Sequence, residues 1–392
     1  MIVCQNFSWF DKLIFDENGK RKLPVYTPIA IQQDKDYFSA LNTRFQLIED
    51  AFGSDACGRE YLPILNIYHS AITSAVSLYL SGDIDAAIAQ TDIIIKDLSS
   101  SSNEIGISTI KRSAAFADPE NVLDQTENNN IQFFRARTSD HFTIFSQTEM
   151  LHIPFDKRHL VGNERFSITG FPCLYLASSS YCCWLEIGTP ADHQFNVSPF
   201  RVDGNLKILN LAFNYQDVSV IVEHSQSKAI LEEVFKLWLL SIATSITCQQ
   251  RGRNFKTEYI FSQLIMISCK KAGLDGVSYY SKKVKNDVFC NRVCVNVALF
   301  ATYDGEDYIS KICNKISAAP SYNYSMFKQL TASQTYRRTF LNVRDSMYPV
   351  NIGDFDRQVP YCDTLFYEFD QFLFTHVEDE IKPVDVDKIN SK

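Results

Sequence analysis

A chain of 392 residues, 45% hydrophobic and 21% charged, has the make-up of a globular protein long enough for two or three cores. Its formal net charge of −8 argues against a surface built to coat nucleic acid, while leaving room for a local basic pocket that takes one small phosphorylated ligand. No apolar run reaches the length of a bilayer-crossing helix, and the start, Met1-Ile2-Val3-Cys4-Gln5-Asn6, has neither the basic nor the apolar stretch of a signal peptide. A cytoplasmic protein without membrane contact is therefore expected. The 11 cysteines are scattered without the spacings of a disulfide framework or a zinc site, so reduced thiols and no bound metal are expected.

Residues 1 to about 33 lack clear periodicity. From Asp36, the spacing of Phe38, Leu41, Phe45, Ile48 and Phe52 predicts a helix that Gly53 ends. Leu65, Tyr68, Ile72, Val76 and Tyr79 predict a second helix over 61–80. After the turn Ser81-Gly82-Asp83, a third follows from Ile84 to Leu98. This helical unit, 1–115, reads as an interaction or regulatory domain, with a tetratricopeptide-like pair or a HEPN-type bundle as alternatives. Arg59 and His69 stand too far apart in sequence to make a persuasive HEPN pair.

Ser- and Asn-rich sequence marks a boundary, with a polar linker at 116–130. Strand and helix patterns then alternate from 131 to 302, the mark of an α+β or α/β domain. Strands are expected at Ile131–Arg137, Cys173–Ala177, Pro199–Phe213, Val277–Ser281 and Val293–Phe300. Helices are expected after the turn Ser178–Ser180 up to Glu186, over Ser227–Cys248 and over Thr257–Lys271. The Ser227–Cys248 stretch is apolar on nearly every side and so should be buried. In the remainder, 303–392, Leu365, Tyr367 and Phe369 keep strand spacing while Phe366, Phe369 and Leu373 keep helical spacing. The charged end from Lys382 reads as mobile.

The chemistry centres on Glu164 to Glu186, where an Arg in a loop, a Tyr on a strand and a Glu on an otherwise apolar helix can converge. A lone carboxylate on such a helix is costly to bury, and so is commonly aimed at a site. In order along the chain, Phe134-Arg135-Ala136-Arg137, Arg165 before Gly170 and Pro172, Leu174-Tyr175-Leu176, Glu186, Asp275-Gly276-Val277-Ser278-Tyr279-Tyr280-Ser281 and Asn296-Val297-Ala298-Leu299-Phe300 resemble the motifs of the RES domain family. The chain departs from them at Glu164-Arg165-Phe166-Ser167, where the family commonly has Gly-Arg-Trp-Asn. The segment between Thr189 and Phe255 is also longer than in compact members.

The resemblance implies an ADP-ribosyltransferase-like fold and a toxin or defence effector, including anti-phage defence, that destroys NAD+. The nicotinamide–ribose bond would be cut by hydrolysis, or by phosphorolysis with inorganic phosphate as co-substrate. NAD+ would be substrate rather than cofactor, and indeed no Gly-x-Gly-x-x-Gly or phosphate-loop motif is present. The implied catalytic residues are Glu186, Arg165, Tyr175 and Ser281; those contacting NAD+ are Arg165, Tyr175, Arg135, Ser281 and Asn296. A protein antitoxin and a homo-oligomer are the implied partners. Transfer of ADP-ribose to a protein or nucleic acid, and a degenerate domain that only binds, are the alternatives.

Overall fold

The computed structural model describes residues 8–16, 20, 22–23, 27–113, 115–116, 130–250, 252–284, 292–332, 349–351 and 358–391. The expected linker at 116–130 falls almost wholly outside these residues. The first stretch holds α1 (Trp9–Ile14), β1 (Ile29–Ile31), α2 (Tyr37–Ser54), α3 (Leu62–Leu80), α4 (Ile84–Ser99) and β2 (Ile107–Thr109). Next come β3 (Asn130–Thr138), β4 (Cys173–Ala177), α5 (Ser180–Glu186), β5 (Phe195–Asp203), β6 (Lys207–Leu211), α6 (Tyr215–His224), α7 (Lys228–Thr244), β7 (Ile246–Cys248) and α8 (Ile260–Lys271). The last stretch has β8 (Gly276–Tyr280), β9 (Val295–Phe300), β10 (Ile316–Ala318), β11 (Tyr322–Asn323), α9 (Tyr324–Ala332), β12 (Pro349–Asn351), β13 (Gln358–Pro360), α10 (Leu365–Thr375), β14 (Lys382–Pro383) and α11 (Val386–Asn390). The chain is α+β with a helical N-terminal region.

Two compact units share this chain, and they are interleaved in sequence. The first takes residues up to Ser108, then Asn163–Phe166 and Leu209–Leu274; the second takes Thr109–Gly162, Ser167–Ile208 and Asp275 onward. This grouping cuts the chain differently from the contiguous segments expected from sequence. The physical reason lies in α7 and α8, which pack against the N-terminal helices α3 and α4.

In the first unit, the buried faces Leu41–Phe45–Ile48–Phe52 of α2 and Leu65–Tyr68–Ile72–Val76 of α3 follow the helical period read from sequence. α7 is buried on nearly all sides, and its Phe235 stands edge-on to Phe52, ring centroids 5.2 Å apart. Its buried Glu233 accepts from the backbone N–H of Gly106 at 2.8 Å, from Asn103 Nδ2 at 3.1 Å and from the Ser101 hydroxyl. One carboxylate thereby satisfies the donors of the loop after α4. His69 reaches Glu49 and Asn42, each at 2.8 Å, while Arg59 Nε donates to the Asp55 carbonyl.

The second unit is built on a sheet in which β14, β10, β5, β3, β4, β9 and β8 lie side by side, with β11 also paired to β5. The β3–β5, β4–β9 and β8–β9 pairs are antiparallel, and their register sorts side chains onto two faces. Phe133, Leu174, Leu176, Phe200, Val202, Val297 and Leu299 face one core. Phe134, Ala177 and Val197 face another, where α5, α9 and α10 supply Tyr181, Cys182, Phe327, Phe366, Phe369 and Leu373.

Three expectations change. The strand over 199–213 is two strands, because Asp203 accepts from the backbone N–H of both Asn205, at its carboxylate, and Leu206, at its carbonyl, turning the chain there. The ambiguous 365–373 stretch is helix α10, with Phe366, Phe369 and Leu373 on its buried face. The charged end expected to be mobile forms β14, paired to β10, and α11, whose Val386 is buried.

Candidate functional site

β4 runs into α5 through Ser178 and Ser179, and Ser179 caps the helix by accepting from Cys182 N at 2.9 Å. The Ser179 hydroxyl also donates to the Val293 carbonyl at 2.6 Å, fixing the helix start against the chain entering β9. α5 carries Tyr181, Cys182 and Cys183 into the core and leaves Glu186, at its last turn, exposed. The carboxylate is not loose: Asn296 Nδ2 donates to Glu186 Oε1 at 2.6 Å. Asn296 also accepts, at Oδ1, from the Cys182 thiol at 3.4 Å. The Cys294 thiol, to which Cys182 is hydrogen-bonded, together with burial, pushes the Cys182 thiol well above its ordinary range, so it remains a neutral donor.

Strand register puts Tyr175 on the same face as this group. Tyr175 pairs with Ala298, and Asn296 pairs with both Ala177 and Tyr279, so all point to the α5 side of the sheet. Tyr175 is half-buried and shares a 2.7 Å hydrogen bond with the Ser167 hydroxyl. Ser167 is thus in hydrogen-bonding contact although it lacks the amide usual at its place in the family motif. Its short side chain gives no signal of this in sequence.

Ser281 follows β8 and is buried. Its backbone N–H donates to Cys294 at 2.9 Å, and its hydroxyl accepts from Lys283 N at 3.2 Å, closing the turn after the strand. The preceding Asp275-Gly276 pair has its own structural reasons. Asp275 accepts from Lys207 N at 2.7 Å, and a Cβ on Gly276 would lie 2.5 Å from the Ala298 carbonyl oxygen.

Arg135 sits on the opposite face of the sheet from Tyr175. It adjoins Phe134, which pairs with Ala177, so alternation points it towards the Phe133 core. It donates to the Tyr175 carbonyl at 2.9 Å, and burial lowers its pKa to about 10. The geometry therefore gives it a role in bracing β4 from behind.

Arg165 belongs to the first unit. Its NH2 donates to Ser245 Oγ at 3.0 Å and Thr244 Oγ1 at 3.3 Å, at the end of α7, and its guanidinium lies 5.2 Å from the Phe166 ring centroid. Gln263 on α8 donates to the Glu164 carbonyl at 3.0 Å and to the Asn163 side chain, and Lys256 donates to the Asn163 carbonyl at 2.9 Å. Buried hydrogen bonds thus define the path of the loop that carries Arg165. Among the six residues singled out in the sequence, the structure joins Glu186 to Asn296 directly and sets Tyr175 on their face of the sheet. Ser281 ends the neighbouring strand, Arg135 lies behind, and Arg165 is placed by the other unit.

Sequence reasoning missed a buried acid beside α5. Asp370 on α10 accepts from Ser180 N at 3.1 Å and from the Tyr361 hydroxyl at 2.5 Å. Its only sequence signal is an acidic residue on the face that also carries Phe366, Phe369 and Leu373.

Among the described residues no helix is long and apolar enough to cross a membrane, and no group of three His, Cys, Asp or Glu side chains is placed to hold a metal ion. Residues 132–312 match the model of the RES domain. A protein of Bacillus subtilis strain 168 described as "Putative toxin YopC" is 32% identical over 232 residues, which is 56% of this chain and 49% of that protein; the chain thus spans about half the length of the curated relative it matches. The solved MbcT–MbcA toxin–antitoxin complex of Mycobacterium tuberculosis aligns over 52% of this chain and 90% of its own at 12% identity, with a TM-score of 0.25, too low to establish a shared fold. Residues 132–312 are therefore similar to the RES domain, both in the family match and in the ordered motifs inside it.

Proposed function

We propose that the protein is a toxin-type enzyme that cleaves the nicotinamide–ribose bond of NAD+, and that a protein antitoxin restrains it. The observation that carries this reading is the Glu186–Asn296 pair within the RES domain, an exposed carboxylate held in one orientation on the face that also bears Tyr175. The similarity to a protein described as a toxin supports the toxin class.

The chemistry suits these groups. When the C–N bond breaks, nicotinamide leaves with the bonding electron pair, and positive, oxocarbenium-like charge grows on the ribose. A carboxylate fixed beforehand next to that carbon stabilises the charge without reorganising, an effect on the order of 10²–10³ in rate for one preorganised group. Water then adds and releases a proton to give ADP-ribose; inorganic phosphate in its place gives the ribose 1-phosphate. Asn296 orients Glu186 through its 2.6 Å hydrogen bond. Tyr175 offers a ring face to nicotinamide or ribose.

The test is incubation of purified protein with NAD+, with and without added phosphate, followed by product analysis by phosphorus NMR, with Glu186→Gln as control. ADP-ribose without phosphate identifies a hydrolase, and products only with phosphate a phosphorylase. Label retained on a macromolecule identifies a transferase. Intact NAD+ under all conditions sinks the reading, as does full activity in Glu186→Gln.

A further inference from the structure

The segment from β13 to α10 lies beyond the RES match, yet it touches the helix that presents Glu186. Asp370 accepts from Ser180 N, the first residue of α5, at 3.1 Å, and Ser180 Oγ donates back to the Phe366 carbonyl at 3.4 Å. Phe366 also packs on two α5 rings, with centroids 5.5 Å from both Tyr181 and Trp184. Tyr361 completes the grip by donating to the second carboxylate oxygen at 2.5 Å. α5 has 7 residues, so it is about 10 Å long and moves as one rod. A shift of its first turn is a shift of Glu186 relative to Asn296.

We infer that Asp370 is a positioning residue: by holding the first turn of α5 it sets where Glu186 stands. The inference rests on the proposed role of Glu186. It assigns the C-terminal segment a part in catalysis that the RES motifs themselves do not contain. Asp370 touches no reacting atom and acts only through the helix. Its acceptor at Ser180 N is the feature that matters, so a neutral amide in its place should still serve.

The experiment uses the full chain and has two readouts. The first is steady-state NAD+ consumption by wild type, Asp370→Ala, Asp370→Asn and Tyr361→Phe. The second is amide hydrogen exchange over Ser180–Glu186, which needs no activity. Asp370→Ala should lower kcat on the order of 10- to 100-fold, the scale of a misplaced catalytic group, with KM for NAD+ nearly unchanged. It should also speed exchange in α5. Asp370→Asn should keep kcat within about threefold and exchange near wild type, because its carbonyl still accepts from Ser180. If Asp370→Ala fails to fold, Tyr361→Phe carries the test, with a smaller loss confined to kcat. An unchanged kcat, a loss confined to KM, or an Asn variant as impaired as Ala overturns the inference. If wild type consumes no NAD+, the proposed function has failed on its own. Exchange then decides the grip: unaltered α5 protection in Asp370→Ala removes it.

Discussion

Asn296 Nδ2 donates to Glu186 Oε1 across 2.6 Å, joining the start of a buried strand to the exposed end of a helix. Replacing Asn296 by Asp keeps the size and reverses the interaction, because two carboxylates at that separation repel and one must hold a proton. If ionised Glu186 drives the reaction, Asn296→Asp should move the acid limb of the pH–rate profile to higher pH. Asn296→Ala should lower kcat without that shift. Identical pH profiles in the two variants would count against a direct pairing in the working enzyme.

The Ser167–Tyr175 hydrogen bond of 2.7 Å holds a half-buried ring through a buried hydroxyl. Tyr175→Phe should cost about 1 kcal/mol in denaturant unfolding, the usual worth of such a bond, while leaving the ring face in place. NAD+ turnover should then fall only a few-fold. Tyr175→Ala, which removes the ring, should fall much further. Equal losses in both would assign the function to the hydroxyl rather than the face.

Glu233 offers a stability prediction independent of any activity. It is the acceptor for the Gly106 N–H at 2.8 Å as well as for Asn103 and Ser101 side chains, all in the helical unit. Glu233→Ala should destabilise by about 1–3 kcal/mol, because it strips buried donors of their acceptor. Glu233→Gln, which keeps one oxygen, should cost less. Gly106→Ala should also destabilise, since its Cβ would come within 3.0 Å of Leu237 and 3.2 Å of Glu233. Urea midpoints within error of wild type for both Glu233→Ala and Gly106→Ala would show that the loop is not held this way.

The ease of reading this chain varied with how local each cause was. α2, α3 and α4 were legible because burial follows a three-to-four spacing confined to each helix. β4, β8 and β9 were legible as short β-prone runs, and the motif order is what singles out Tyr175, Glu186 and Asn296 as candidates. α6 also has a local sign, a reciprocal cap in which Asn214 accepts from Asp217 N at 3.0 Å and Asp217 from Asn214 N at 2.8 Å. The turn at Asp203-Gly204-Asn205 is likewise a local signal, in residue types that favour turns. Other features were not there to be read. The grouping of α7 and α8 with the N-terminal helices depends on contacts between residues far apart in sequence. The side of the sheet that Arg135 takes depends on pairing register, and the Asp370 grip joins residues 190 apart in the chain.

Asp370 also carries a pH signature. Burial raises its pKa from the usual 3.8 to about 7, against the lowering effect of the bonds from Ser180 and Tyr361. Facing it are Tyr361, Cys183 on α5 and Tyr324 on α9, all pushed upward mainly by burial, with the Asp370 charge adding to it, and so neutral in this range. Because the folded state holds this proton more tightly than the unfolded chain does, the contribution to stability is complete below about pH 4 and is lost as pH rises through about 7. Asp370→Asn cannot ionise, so its stability should lack this term. Urea midpoints of wild type and variant, measured at about pH 5, 6, 7 and 8, should diverge with rising pH, wild type falling relative to Asn. All other titrating groups are common to the two proteins and cancel in the difference. Parallel curves would mean that Asp370 is ionised throughout, and would favour a charged rather than a neutral acceptor at the first turn of α5.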